Sequence, residues 1–194
     1  MVGNLDGIDL DTQFRWVVEG INQPELFFAN LPSLLPADAI LYFEGGSIAS
    51  DAARFYEKHR APNAVAVVRD TIFPVPDIYH VTFSLEVAIR LRELAASRPW
   101  QELFDHIKAY RGESLLFTFH DAFDGYLLIS EHIAEPVVAE FCHSLGVSYQ
   151  REPNVNKRDP EQLRRFLWAL ENPHKIRFAG ESWWRRLWRQ WTGR

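Results

Sequence analysis

Apolar and polar positions along the chain change rhythm repeatedly, and the changes divide it into short segments. Phe14, Val17, Val18 and Ile21 recur at spacings of three and four. That predicts an opening helix, capped by Asp9 or Asp11 and ended at Gln23-Pro24. Three segments then read alike, as strand, connection, strand and helix. In the first, Leu26–Ala29 leads through Pro32 and Pro36 to a strand at Ile40–Phe43 and a helix at Ser50–His59; Leu26-Phe27-Phe28 suits a helix equally well. In the second, Ala64–Val68 leads through Pro74 and Pro76 to Ile78–Phe83 and a helix at Leu85–Ala96, with Ser84 as its N-cap. In the third, Leu115–Phe119 turns at Asp124-Gly125 into Tyr126–Ile129, and a helix at Glu135–Leu145 stops at Gly146.

Small echoes accompany this order. Asn30, Asp70 and Asp121 close the first strands with side chains suited to Asx turns, and Ser47, Ser84 and Ser130 follow the second strands. Three loose copies at unequal spacing suggest an internal repeat, although ordinary strand–strand–helix chemistry produces the same pattern. Between the second and third units, Trp100, Leu103, Phe104, Ile107 and Tyr110 predict a helix over Pro99–Tyr110. A short strand is expected at Val147–Gln150. A helix opening at Asp159-Pro160 carries Leu163, Phe166, Leu167 and Leu170 and ends at Asn172-Pro173.

Several strands are apolar at every position, including Ile40–Phe43, Val65–Val68 and Tyr126–Ile129, as strands covered on both faces are. The expected fold is therefore α/β, or its α+β variant: a mixed, partly antiparallel sheet covered by helices, with further helices at the C-terminus. Residues 1–179 are read as one globular domain and 180–194 as an appended segment.

That segment stands out from the rest. Trp183, Trp184, Trp188 and Trp191 are four of the seven tryptophans. As a helix, Trp184, Leu187, Trp188 and Trp191 share one face, while Arg185, Arg186 and Arg189 fall largely on the other. Buried indoles beside guanidinium groups are typical of binding hot spots. The expected occupant is a protein partner or a second copy of the chain. The alternatives are packing on its own domain and, less favoured, a membrane surface.

Charge sharpens this contrast. The net charge of −5 comprises +4 on Ser182–Arg194, leaving −9 on the remainder. So acidic a body repels phosphates, and no nucleic acid is expected as partner. A second basic stretch, with Lys157, Arg158, Arg164, Arg165, Lys175 and Arg177, suits an acidic protein, an anionic lipid or plain solvation. Cys142 is the single cysteine, which removes intrachain disulfides and thiolate zinc sites. The first eleven residues hold no apolar run and no 18-residue apolar stretch exists, so a cytoplasmic location is expected.

Candidate chemistry is sparse, and no cofactor fingerprint is present. His120, Asp121 and Asp124 gather at a strand end, where an imidazole and two carboxylates suit a divalent metal or acid–base work. The same residues also make an ordinary Asp-rich hairpin. His80 joins them in one cleft if its strand lies beside that of His120. Gly45-Gly46-Ser47 precedes a helix but lacks the lysine and spacing of a phosphate loop. Cys142 lies on an apolar helix face and reads as a buried, inert thiol. The sequence thus points first to a non-enzymatic interaction module acting through its Trp/Arg segment. A small metal-assisted or acid–base hydrolase built on His80, His120 and Asp121 comes second.

Overall fold

The computed structural model describes residues 7–71 and 74–154, together with Trp168 and Asn172. The chain divides into two compact units, Gly3–Lys157 and Arg158–Arg194. In the first, the elements run β1 (Phe14–Val18), α1 (Pro24–Leu34), β2 (Ile40–Gly45), α2 (Ser50–Lys58), β3 (Asp77–Thr82), α3 (Leu85–Ser97), a 3-10 turn (Trp100–Glu102), β4 (His106–Arg111), β5 (Ser114–Phe119), β6 (Leu127–Ser130), α4 (Glu135–Leu145) and β7 (Tyr149–Pro153). In the second unit, Asn172 donates its backbone and side-chain amides to Trp168 O, at 3.0 and 2.9 Å. The rest of the helix expected from Asp159-Pro160 to Asn172-Pro173, the basic stretch, the expected boundary at Gly180 and the Trp/Arg segment lie outside the described residues.

The seven strands form one sheet in the order β3-β2-β4-β5-β6-β1-β7, and every neighbouring pair is antiparallel. Among the described residues, one parallel bridge, Ile8 to Val67, lies outside these strands. This is the α+β form of the expected fold. One parity of strand residues, including Leu41, Phe43, Ile107, Phe117, Phe119 and Ile129, meets side chains from all four helices in the main core. Phe27 sits at its centre, in contact with Phe28, Phe117, Phe119, Phe123 and Phe141. The other parity meets a thinner layer, in which Leu10, Val65 and Val67 cover Tyr42, Tyr110 and Leu115.

Four sequence expectations are corrected. The opening segment is a strand, β1, and not a helix: Arg15–Val18 are buried throughout between β6 and β7, and aromatic and β-branched residues suit that position. Leu26–Ala29 belongs to α1. Pro24 needs no donor in the first turn, and Phe27, Phe28, Leu31 and Leu34 all face the core. Ala64–Val68 forms no named strand; Ile8 N donates to Ala66 O and Val68 N to Ile8 O, so the segment lies over the second face. Finally, the helix expected over Pro99–Tyr110 is the 3-10 turn followed by β4. Central in the sheet and buried on both faces, β4 sets His106 and Lys108 on one face and Ile107 and Ala109 on the other, an alternation masked by the apolar spacing that Ile107 and Tyr110 share with Trp100, Leu103 and Phe104. Only the third strand–strand–helix unit, β5-β6-α4, survives among the described residues.

Local signals elsewhere act as expected. Ser84 Oγ accepts from Val87 N at 3.2 Å and caps α3. Gly146, at φ 68°, ends α4 in the left-handed region, and Val147 N bonds back to Cys142 O.

Candidate functional site

The site follows from the antiparallel pairing of β4 with β5. Ile107 lies opposite Phe119, so the residues just outside that pair, His106 and His120, face each other on the second side of the sheet. Their rings stack with centroids 4.5 Å apart at 7°. On the same side, β2 places Glu44 opposite His106 and Tyr42 opposite Lys108.

Glu44 is fully buried and organises the wall above. Its carboxylate accepts from Tyr42 Oη at 2.8 Å, from Asp70 N at 2.9 Å and from Thr71 N. These bonds hold Asp70 and Thr71 over β4. Lys108, buried with Asp70, donates to Val68 O at 2.6 Å and forms an ion pair with Asp70 Oδ2 at 3.0 Å. A buried ammonium is tolerable only with such partners. Burial and the neighbouring Glu44 and Asp70 charges push the Tyr42 hydroxyl far above the usual phenol range.

His106 is buried and its tautomer is assigned by its neighbours. Asp121 N donates to Nδ1 at 2.9 Å, so the neutral ring carries its proton on Nε2, which meets Thr71 Oγ1 at 3.1 Å. Burial holds this imidazole below its ordinary pKa, and the Asp70 and Glu44 carboxylates oppose that shift. His120 is half exposed. Its Nε2 lies 3.2 Å from Asp121 Oδ2 and its Nδ1 3.7 Å from Asp70 Oδ2. One donor atom each from Asp70, His106 and His120 lie within 4.8 Å of one another.

The loop after β5 is strained where it carries the exposed carboxylate. Asp121 has φ 44° and Phe123 φ 68°, in the left-handed region that costs a residue with a Cβ on the order of 1–3 kcal/mol. Gly125 is required here, since a Cβ would lie 2.5 Å from His120 O. The strain is offset by Phe123, whose ring packs against Phe27, Phe104 and Phe119. The loop and the residues before β4 enclose a cleft of about 670 Å³. Trp100 and Tyr126 line it with aromatic surface, His106 and His120 with imidazoles, and Asp105, Asp121 and Asp124 with carboxylates.

His120, Asp121 and Asp124 all line this cleft, and His80 does not join them. Strands β2 and β4 separate β3 from β5. His80 Nδ1 instead meets Tyr110 Oη at 2.8 Å, its ring stands edge-on to Tyr42, and burial together with Arg60 lowers its pKa. Sequence reasoning missed Glu44, His106 and Lys108, and saw Asp70 only as a turn residue. Gly46 N is spent on Asp105 Oδ2 at 2.8 Å, so the glycine pair forms no open anion cradle. Burial pushes the Cys142 thiol up to about 11, as an inert core thiol requires. Glu131 Oε1 accepts from Gln13 N and Phe14 N and so fixes the start of β1. Comparison with protein-family models, curated proteins and solved structures finds no match for the chain, so the chemistry of the cleft is argued from its geometry.

Proposed function

We propose that the protein is a small hydrolase with this cleft as its active site. The observation that carries the proposal is the convergence of Asp70, His106 and His120 beneath the exposed carboxylate of Asp121. The roles divide by burial. Asp121 faces solvent and takes the proton of a water whose oxygen bonds to the substrate's carbonyl carbon. The carbonyl electrons move to oxygen, which accepts from an N–H of the half-exposed His120 imidazole. They then return to re-form the carbonyl as the bond to the leaving group breaks, and the leaving group departs with the proton from Asp121. Three carboxylates in the cleft favour a neutral or cationic substrate over an anionic one. The test is turnover of neutral and cationic chromogenic esters and amides. Asp121→Asn should lower kcat/KM by about 10²-fold or more. Turnover at background level across that panel, or turnover indifferent to Asp121→Asn and His120→Gln, would discard the proposal.

A second proposal rests on the Trp/Arg pattern of 180–194: docking of that segment on an acidic protein partner or a second copy of the chain. Removing the residues after Gly180 should abolish partner capture or self-association in light scattering; unchanged behaviour rejects it, and flotation with anionic liposomes would assign the segment to a membrane surface instead. No helix among the described residues is long and apolar enough to cross a membrane. With its one cysteine a buried free thiol, the chain suits a reducing cytoplasm; fractionation of the source cells checks this.

A further inference from the structure

Resting on the hydrolytic proposal, we infer that the inner cluster binds a divalent transition-metal ion, of the zinc or cobalt type, through Asp70, His106 and His120. Two imidazoles and a carboxylate are a borderline donor set that suits these ions and not calcium or magnesium, which prefer all-oxygen shells. Three protein ligands with a cleft before them match a catalytic site that keeps one position for water.

The surroundings fit in three independent ways. The first is tautomer. A ligating imidazole donates its other N–H to a partner that fixes the ring. His106 already gives Nε2–H to Thr71 Oγ1, which leaves Nδ1 as the donor atom, facing Asp121. The second is orientation. Asp70 is held from behind by Lys108 Nζ and through its backbone N–H by Glu44, so its carboxylate is fixed before any ion arrives. The third is charge. Glu44, Asp70 and Asp121, with Asp105 and Asp124 in the cleft, outnumber the Lys108 ammonium and the buried Arg69 guanidinium that acts on Tyr42. A cation is favoured by that excess of negative charge.

Binding requires one rearrangement. Ligand atoms of a tetrahedral site with bonds near 2.0–2.1 Å stand about 3.3 Å apart, closer than the 4.8 Å limit spanned here. Imidazoles also coordinate in the plane of the ring, so the parallel His106–His120 stack has to open. His120 is the ring placed to move: half of its side chain is exposed and it ends its strand, next to the left-handed Asp121. His106 Nδ1 then exchanges the Asp121 amide for the ion.

The test uses the full chain, stripped with EDTA and titrated with Zn²⁺ and with Co²⁺. Wild type should bind one ion per chain, and Co²⁺ should give the intense visible bands of a four-coordinate site. His120→Gln, at the cleft mouth, leaves the fold intact and should weaken binding at least tenfold. Thr71→Val removes only the partner of His106 Nε2–H and should weaken it by about 10- to 100-fold. Binding of equal strength in wild type and His120→Gln would overturn the inference, as would the absence of any stoichiometric ion. Ester turnover separates the two proposals. Turnover that depends on Asp121 and persists in metal-free protein overturns the metal ion and keeps the hydrolase. One bound ion without turnover on any substrate keeps the metal ion and overturns the hydrolase.

Discussion

Replacing Lys108 by Met probes the network that holds the cleft wall in place. The side chains have similar volume, so little packing is lost and the effect isolates the charge. Wild-type Lys108 donates to Val68 O at 2.6 Å and pairs with Asp70 Oδ2 at 3.0 Å, with side-chain exposures of 2% and 4% for the ion pair. Water cannot replace the ammonium at that depth, so the variant strands the Asp70 carboxylate beneath the 65–71 segment. Breaking a buried pair from one side costs about 3–5 kcal/mol. With a urea m value of about 2 kcal/mol/M, the unfolding midpoint should fall by roughly 1.5–2.5 M. Asp70→Leu alone strands the ammonium and should cost a similar amount. The double variant removes both charges and should be more stable than either single one, with a coupling energy above about 1.5 kcal/mol. Tryptophan fluorescence during urea unfolding, checked by circular dichroism, measures all three. A Lys108→Met cost below about 1 kcal/mol, or losses that simply add in the double variant, would show that the pair does not hold this wall.

Other perturbations separate strain, titration and packing. Asp121→Gly relieves a left-handed residue while deleting the exposed carboxylate, so stability should hold or rise by up to about 1 kcal/mol while hydrolysis falls; a clear loss of stability refutes the strain. His80 has a folded pKa below the ordinary 6.5 because burial and Arg60 disfavour its charged form. As pH falls through 6.5 the unfolded chain takes the proton first, so stability declines from there until the folded imidazole also titrates. His80→Gln should flatten that decline between about pH 8 and pH 5.5 in urea midpoints, and an unchanged slope would contradict the assignment. Phe27→Ala, at the meeting point of five other rings, should cost about 3–5 kcal/mol in the same assay. A cost near 1 kcal/mol would mean that the core closes around the gap.

How far the site could be read from sequence depended on chain distance. His120, Asp121 and Asp124 fall within five residues, and turn chemistry alone brings them together. Asp70, His106 and Lys108 come from two other segments that only the sheet order brings to the same place. Pairing His80 with His120 failed for the same reason: it assumed that β3 and β5 were neighbours, and two strands lie between them. The fold failed to show through at comparable points. In β4, Ile107 and Tyr110 complete a helical spacing with Trp100, Leu103 and Phe104, and that apolar count outweighed the alternation of His106 and Lys108 with Ile107 and Ala109.

One signal was nonetheless present in the residues. An amphipathic helix turns charged side chains toward water, and nothing then constrains their spacing. A buried strand cannot do so, and its polar residues fall two apart, on one face, beside polar residues of the neighbouring strand. His106 and Lys108 in β4, and Tyr42 and Glu44 in β2, obey that rule within otherwise apolar runs. Laid antiparallel, the two strands set Glu44 against His106 and Tyr42 against Lys108, which is the observed register. Polar residues two apart in an apolar run would therefore have identified β4 as a strand, its neighbour as β2 and the inner wall of the cleft together. The apolar count that suggested a helix carries none of that information.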